Sequence, residues 1–212
     1  MPQGTELVVI VDDDFRVREA ISDLLASKDV ASVTFESATE YLGFNIPDLP
    51  SCLILDVSLP DINGLELQST MAQAQHPPIV FISGYGDIPS SVRAMKAGAV
   101  DFLTKPIHEE ALLQAINVAL NRDRQMRRSR AELATLEDRY SSLTPREREV
   151  FSLIVRGLLN KQAAAELQIS EVTLQIHRSR IIHKMKARSV AELVRMAGSL
   201  NMSSYRSDDV ST

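Results

Sequence analysis

The stretch Cys52-Leu-Ile-Leu-Asp56 most constrains what this chain can fold into. Four apolar residues run unbroken into a carboxylate, and Leu59-Pro60 and Asn63-Gly64 then turn the chain towards a helix. Such a run reads as a strand buried on both faces, and strands of that kind belong to parallel sheets covered by helices. Leu7-Val-Val-Ile-Val11 has the same form and stops at Asp12-Asp13-Asp14, while Pro78-Ile-Val-Phe-Ile82 stops at Ser83 and Gly84. A weaker run at 31–35 and another at 100–104, followed by Lys105-Pro106, make five. Helical stretches separate them. Val17, Ala20, Ile21, Leu24 and Leu25 share one face, a short helix is expected over 37–44, Leu67 and Met71 point inward from the next, and a further helix covers 88–97.

This alternation predicts an α/β domain, a five-stranded doubly wound parallel sheet with helices on both faces. Asp12, Asp13, Asp56, Ser83 and Lys105 then all fall at strand C-termini, the edge at which open parallel sheets carry their chemistry. Asp56 alone would read as a turn or capping residue. The company it keeps marks a site.

Net charge is −5, but it is unevenly spread: residues 1–121 carry 6 Lys+Arg against 17 Asp+Glu (−11), and residues 122–212 carry 17 against 11 (+6). An acidic half joined to a basic half implies two domains with different partners, the second polyanionic. The single cysteine, Cys52, lies within an apolar run and reads as a core thiol in a reducing compartment. With no signal-like N-terminus and no apolar run of about 18 residues, a cytoplasmic chain without a membrane partner is expected.

The first domain is placed at 1–121. Leu112, Ile116 and Leu120 form its last helical stripe, and 122–140 reads as a helical linker whose arginines at 122, 124, 127, 128 and 130 are solvated. Leu133, Leu136 and Tyr140 restart a stripe that suits a second copy of itself or a frayed tether. An all-α helix-turn-helix domain follows at 141–200. Thr144-Pro-Arg-Glu147 is a capping box, Val150, Leu153 and Ile154 form an apolar face, and Gly157 ends that helix. Asn160 is expected to cap a second helix, Ser170 a third that is long and basic, and Ser189 a fourth through a second box with Glu192. Two short helices at a tight joint match helix-turn-helix geometry. The tail at 201–212 reads as disordered.

Three carboxylates meeting at one sheet edge repel, each ionised pair by about 3 kcal/mol at an effective dielectric of 20 and about 5 Å. Either a proton is held or a cation sits among them, and hard oxygen donors suit Mg²⁺. No histidine or cysteine spacing suits zinc. A divalent metal, the Asp56 nucleophile, the Ser83 hydroxyl and the Lys105 ammonium are the parts that phosphoryl transfer needs. No glycine-rich phosphate loop is present, so the donor's nucleotide belongs to another protein.

With Val11-Asp-Asp-Asp14, Leu55-Asp-Val-Ser-Leu-Pro-Asp-Ile-Asn-Gly64, Ile82-Ser-Gly-Tyr-Gly-Asp87 and the run from Ala94 to Lys105-Pro106, the chain resembles the response-regulator receiver family. Leu143-Thr-Pro-Arg-Glu-Arg-Glu149, Gly157-Leu-Leu-Asn-Lys161 and residues 169–186 extend the likeness to the two-domain FixJ/NarL type with a LuxR-like DNA-binding domain. The resemblance implies a flavodoxin-like receiver with Asp56 as phosphoacceptor and Mg²⁺ held by Asp12, Asp13, Asp56 and the Ser58 carbonyl. It implies Ser83 as the switch hydroxyl, Phe102 as the aromatic that moves with it, Lys105 on the phosphoryl group and a cis Lys105-Pro106 bond. Ser83 stands where threonine is common, Leu174 where valine is usual and Gln162 where glutamate is usual. Tyr85 is a candidate screen of the phosphoryl group against water.

On a helical wheel Leu174, Ile181 and Met185 face a core, and Arg178 falls on the flank of that side. Val172, Ile176, Ser179 and His183 lie opposite, flanked by Thr173, Gln175, Arg180 and Lys186. Exposed apolar residues need a partner, and thymine methyls in a major groove serve; Gln175 suits adenine. Thr173, Arg180, Lys184 and Lys161 are candidates for phosphate contacts. His177 matches a family position, with a packing role as its plainer reading.

The expected function is a non-enzymatic, DNA-binding transcription regulator, phosphorylated on Asp56 by a sensor histidine kinase. Phosphorylation promotes a homodimer on double-stranded DNA, with RNA polymerase as a further partner. Two alternatives stand beside it. In one the helical half binds protein instead of DNA. In the other the chain is an aspartate-nucleophile phosphatase, against which Ser58 argues: phosphatases resembling the haloacid dehalogenase family carry a second aspartate there.

Overall fold

The computed structural model describes residues 6–72, 75–84 and 88–200; Tyr85 and the tail at 201–212 lie outside them. The chain divides into two compact units, 1–127 and 128–212. In the first, β1 (Leu7–Val11), β2 (Ala31–Phe35), β3 (Ser51–Asp56), β4 (Ile79–Ser83) and β5 (Asp101–Thr104) form one parallel sheet in the order β2-β1-β3-β4-β5. Between them run α1 (Phe15–Ala26), α2 (Ala38–Leu42), α3 (Gly64–Met71) and α4 (Ile88–Lys96), and α5 (Glu109–Ser141) follows β5. The strand order reverses between β1 and β3, which opens a crevice at their C-terminal ends.

Strand side chains alternate between faces, and that alternation builds two cores. Leu7, Val9, Val11, Leu53, Leu55, Ile79 and Phe81 pack with Tyr41, Leu67, Met71 and Ala94 from α2, α3 and α4. Val8, Ile10, Cys52, Ile54, Val80 and Ile82 pack on the other face with Ile21, Leu25, Leu112, Ile116 and Ala119 from α1 and α5. Because the middle strands are buried on both faces, their sequences are continuous apolar runs. Parallel register then sets the edge. Val11 pairs with Leu55, Asp56 with Ile82, and Ser83 with Thr104, so Asp12, Asp56, Ser83 and Lys105 finish neighbouring strands at one level.

Three of the five arginines expected to be solvated have partners within the first unit. Arg127 Nε donates to Asp123 Oδ2 at 2.6 Å and its Nη1 pairs with Asp48; Arg124 pairs with Glu6, and Arg122 Nη1 donates to the Gly98 carbonyl at 3.0 Å. Asp123 is buried and also accepts from the Ser51 amide at 2.9 Å, so α5 completes the hydrogen bonding at the start of β3. Packing therefore runs beyond 121, the expected end of the domain. The reason is physical: i,i+4 spacing on α5 lets Asp123 and Arg127 form a pair that faces a strand end far away in sequence.

The second unit holds the end of α5 with α6 (Pro145–Val155), α7 (Asn160–Glu166), α8 (Glu171–Met185) and α9 (Val190–Ser199). Its core gathers Val150, Phe151, Leu153, Ile154, Ala163, Ala164, Leu174, Ile181, Met185 and Leu193. Leu136 and Tyr140 belong to this core, Tyr140 edge-on to Phe151 at 5.5 Å, so their stripe packs on α6 and only Leu133 is left exposed. The Thr144–Glu147 box is closed in both directions, and Ser170 accepts from the Thr173 amide at 3.0 Å. Two caps differ from expectation. Leu159, not Asn160, precedes α7, because the Asn160 side chain accepts from Arg178 Nη1 at 2.7 Å instead. Ser189 caps α9 alone, since Glu192 accepts from Arg188 and not from Ser189.

A Cβ on Gly64 would lie 2.3 Å from the Asp56 carbonyl oxygen, a backbone atom with no freedom to move. Gly64→Ala is therefore expected to destabilise the first unit by about 1–3 kcal/mol, as overpacking does. Urea unfolding followed by a probe in each unit should show the loss in residues 1–127 and an unchanged transition in 128–212.

Candidate functional site

Asp12, Asp13 and Asp56 offer carboxylate oxygens that lie within 4.8 Å of one another at the crevice. Asp12 and Asp56 share strand parity with the α1 and α5 face and are buried, while Asp13, one residue on, is exposed. Asp14 leaves the cluster to cap α1, accepting from the Arg16 amide at 2.9 Å. The cation between the buried pair comes from the end of β5. Lys105 Nζ lies 2.7 Å from Asp56 Oδ2, which accepts its hydrogen bond, and 2.7 Å from Asp12 Oδ2 as an ion pair. Asp56 Oδ1 accepts from the Ser58 amide at 3.1 Å, and Asp12 Oδ1 from the Asp14 amide at 2.9 Å.

Burial raises the Asp12 carboxyl above its ordinary range, and the Lys105 ammonium and the Asp14 amide only partly offset this. Burial alone would lower Lys105, but hydrogen bonds and charge from Asp12 and Asp56 outweigh it and raise the ammonium. Asp12 Oδ2 is buried and meets the Lys105 ammonium as its ion-pair partner. Three carboxylates in reach of one point and no nitrogen or sulfur donor in the set fit a hard divalent cation such as Mg²⁺.

The remaining expected residues surround this cluster. Ser83 is buried at the end of β4, beside the strand that ends in Asp56. Phe102 is half-buried on β5 with its ring 6.2 Å from that of Phe81. The Lys105-Pro106 bond is cis. Ser58 follows Asp56 in a bridge to Asn63 that shapes the loop. Sequence reading missed Asp61 in that loop. Its carboxylate accepts from the Thr39 hydroxyl at 2.7 Å and the Thr39 and Ala38 amides at 2.8 and 3.2 Å, and these bonds hold it down to about 2. No local pattern could have found it, because its partners lie at the start of α2.

In the second unit, Lys161, Val172, Gln175, Ile176, Ser179, Arg180 and His183 are exposed, Val172 at 69% and Ile176 at 48%. Thr173 is half-buried beside the Ser170 hydroxyl at 2.8 Å. Leu174, Ile181 and Met185 are buried, as the wheel required, and His177 is half-buried with its Nδ1 accepting or donating no hydrogen bond. Lys184 differs from the rest. Its Nζ donates to Glu147 Oε2 at 2.7 Å and to the Ser142 carbonyl at 3.1 Å, so the domain itself already uses the ammonium. Burial would raise Glu147, but Lys184 and the Thr144 cap outweigh it and hold the carboxyl below its usual range.

Without metal, folded Asp12 keeps its proton to a higher pH than unfolded Asp12 does. Its contribution to stability therefore falls as pH rises through and beyond the ordinary carboxylate range. Millimolar Mg²⁺ should oppose that fall and raise the melting temperature of the first unit at pH 7, with the rise fading below pH 4 as protons compete. Asp13→Ala should remove most of the rise yet change metal-free stability by no more than about 0.5 kcal/mol, since Asp13 is exposed. Calorimetry with and without Mg²⁺ checks both.

The family model described as "Response regulator receiver domain" matches residues 8–117, and that described as "Bacterial regulatory proteins, luxR family" matches 141–197. Nodulation protein W of Bradyrhizobium diazoefficiens is 44% identical over 203 residues, covering 95% of this chain and 89% of that protein. The transcriptional regulatory protein FixJ of Azorhizobium caulinodans is 39% identical over 198 residues, covering 93% of each. Among solved structures, the response regulator StyR superposes with a TM-score of 0.80 at 44% identity, covering 92% of this chain and 99% of that one. Full-length FixJ from B. japonicum gives 0.54 at 35%, covering 95% and 99%. The acidic crevice of the first unit and the capped helix pair of the second thus fall within the two matched regions, and the chain belongs to the response regulators that join a receiver domain to a LuxR-type DNA-binding domain.

Proposed function

We propose that this chain regulates transcription and is switched by transfer of a phosphoryl group from a partner histidine kinase to Asp56. The observation that carries the reading is the Lys105 ammonium, 2.7 Å from the carboxylates of both Asp12 and Asp56 in a cluster fit for a divalent cation. An Asp56 oxygen attacks phosphorus, the bond from phosphorus to the donor nitrogen breaks, and an aspartyl phosphate forms. Lys105 then pairs with the transferred group, and the Ser83 hydroxyl donates to another of its oxygens. Asp12, Asp13, Asp56 and the Ser58 carbonyl would hold Mg²⁺, which when bound would neutralise charge on the phosphoryl oxygens. The chain is a phosphoacceptor and not an enzyme with turnover.

As Ser83 moves, Phe102 turns into the space it leaves, and the outer face of α4 and β5 changes. Ile88, Val92 and Met95 are exposed along α4 at 78%, 44% and 46%, an apolar stripe that suits pairing with a second copy by two-fold symmetry. Two recognition helices tied in a homodimer reach half-sites about one DNA turn apart, and the second contact becomes intramolecular. Val172, Gln175 and Ile176 read base edges, while Ser179, His183, Thr173, Arg180 and Lys161 line the groove or the phosphates. RNA polymerase is the downstream partner, and the cytoplasm is where these partners meet.

A small phosphodonor with Mg²⁺ should convert monomer to dimer in sedimentation velocity, and Asp56→Asn should stay monomeric. A dimer indifferent to Asp56 would overturn the switch. Ile176→Ala should weaken binding to a selected DNA site by about 1 kcal/mol while sparing random-sequence DNA. An equal loss on both in competition gel shifts would make Ile176 a fold residue.

A further inference from the structure

We propose that Lys184 is a positioning residue that ties the last turn of the recognition helix to the junction of α5 and α6, and that it does not contact DNA. The inference rests on the DNA-binding face proposed above and removes one residue from it. Glu147 Oε2 accepts from two sides, from the Thr144 amide at 2.8 Å and from Lys184 Nζ at 2.7 Å. The same oxygen thus closes the cap of α6 and holds the far end of α8. Lys184 also donates to the Ser142 carbonyl at 3.1 Å, and Arg139 Nη1 donates to the Met185 carbonyl at 3.4 Å. Three groups around the α5–α6 junction therefore grip one turn of α8.

Glu147 is 3% exposed, so a Lys184 that left it for a DNA phosphate would strand a buried carboxylate. Lys161 and Arg180 carry no such obligation and are exposed. The anchor also acts at a distance. Ile176 lies eight residues before Lys184, about 12 Å along the helix axis. Ile181 is buried between them and acts as a pivot, so slack at Lys184 swings Val172 and Ile176 across the groove. The pose of the recognition helix then depends on the end of α5, the helix that leads out of the receiver.

The test uses the full-length protein, a random-sequence duplex and a duplex of equal length enriched by the wild type from a random pool. A lost phosphate contact lowers the slope of log affinity against log salt by about 0.9. Lys161→Met should show that change, whereas Lys184→Met should keep the wild-type slope and lose about tenfold in preference for the enriched duplex. Lys184→Arg should retain the preference. Glu147→Gln/Lys184→Met should bind the enriched duplex better than Lys184→Met, because no orphan charge remains, and it carries the slope measurement if the single variant does not fold. A slope lowered by about 0.9 in a variant lacking Lys184, with equal loss on both duplexes, overturns the inference and makes Lys184 a phosphate contact. Wild-type preference in Lys184→Met overturns it as well. Absence of any salt-dependent binding by the wild type would instead overturn the DNA face itself.

Discussion

One ammonium group holds the acidic edge of the receiver together. Asp12 and Asp56 are buried at neighbouring strand ends, and without a cation their repulsion would be about 3 kcal/mol at an effective dielectric of 20. Lys105 lies against both. It reaches them because β5 pairs with β4 in a register that ends one residue before it, and because β4 in turn pairs with β3. The same register brings Ser83 to the edge. A site of this kind cannot be shifted by one residue along any strand, since that would send the carboxylates to the opposite face.

The crevice is also held from below and beside it. Gly64 lets α3 begin against the carbonyl of Asp56, and Asp61 binds the loop after Asp56 to the start of α2. Both fix the backbone around Asp56 without touching its carboxylate. At the opposite edge of the sheet, Asp123 on α5 satisfies the first amide of β3 and is itself paired with Arg127. β3, the strand that carries Asp56, is thus held at both ends by side chains from other elements.

The second unit uses the same physics with a different sign of consequence. Glu147 is a buried carboxylate, like Asp12, and is neutralised by one lysine. Around Asp12 burial prevails and the carboxyl is raised; around Glu147 the donors prevail and the carboxyl is lowered. The first arrangement can take part in chemistry, and the second is a structural tie. The exposed Val172 and Ile176 stand opposite the buried Leu174 and Ile181 on the same helix, which separates the face that packs from the face left to solvent.

Much of this was legible in the chain itself. Continuous apolar runs ending in Asp12, Asp56 and Ser83 fixed a parallel sheet and its chemical edge, because a strand buried on both faces has no room for polar residues until it ends. Helical periodicity and the Thr144 and Ser170 caps located the helix pair, since these are local signals carried by neighbouring residues. What spacing could not supply was any pairing between distant elements. The partners of Arg127 and Asp61, the transfer of Asn160 from cap to Arg178, the burial of Leu136 and Tyr140, and the capture of Lys184 by Glu147 all depend on which surfaces meet. A charged side chain in sequence declares only that it needs a partner or water; tertiary packing alone decides which of these it gets.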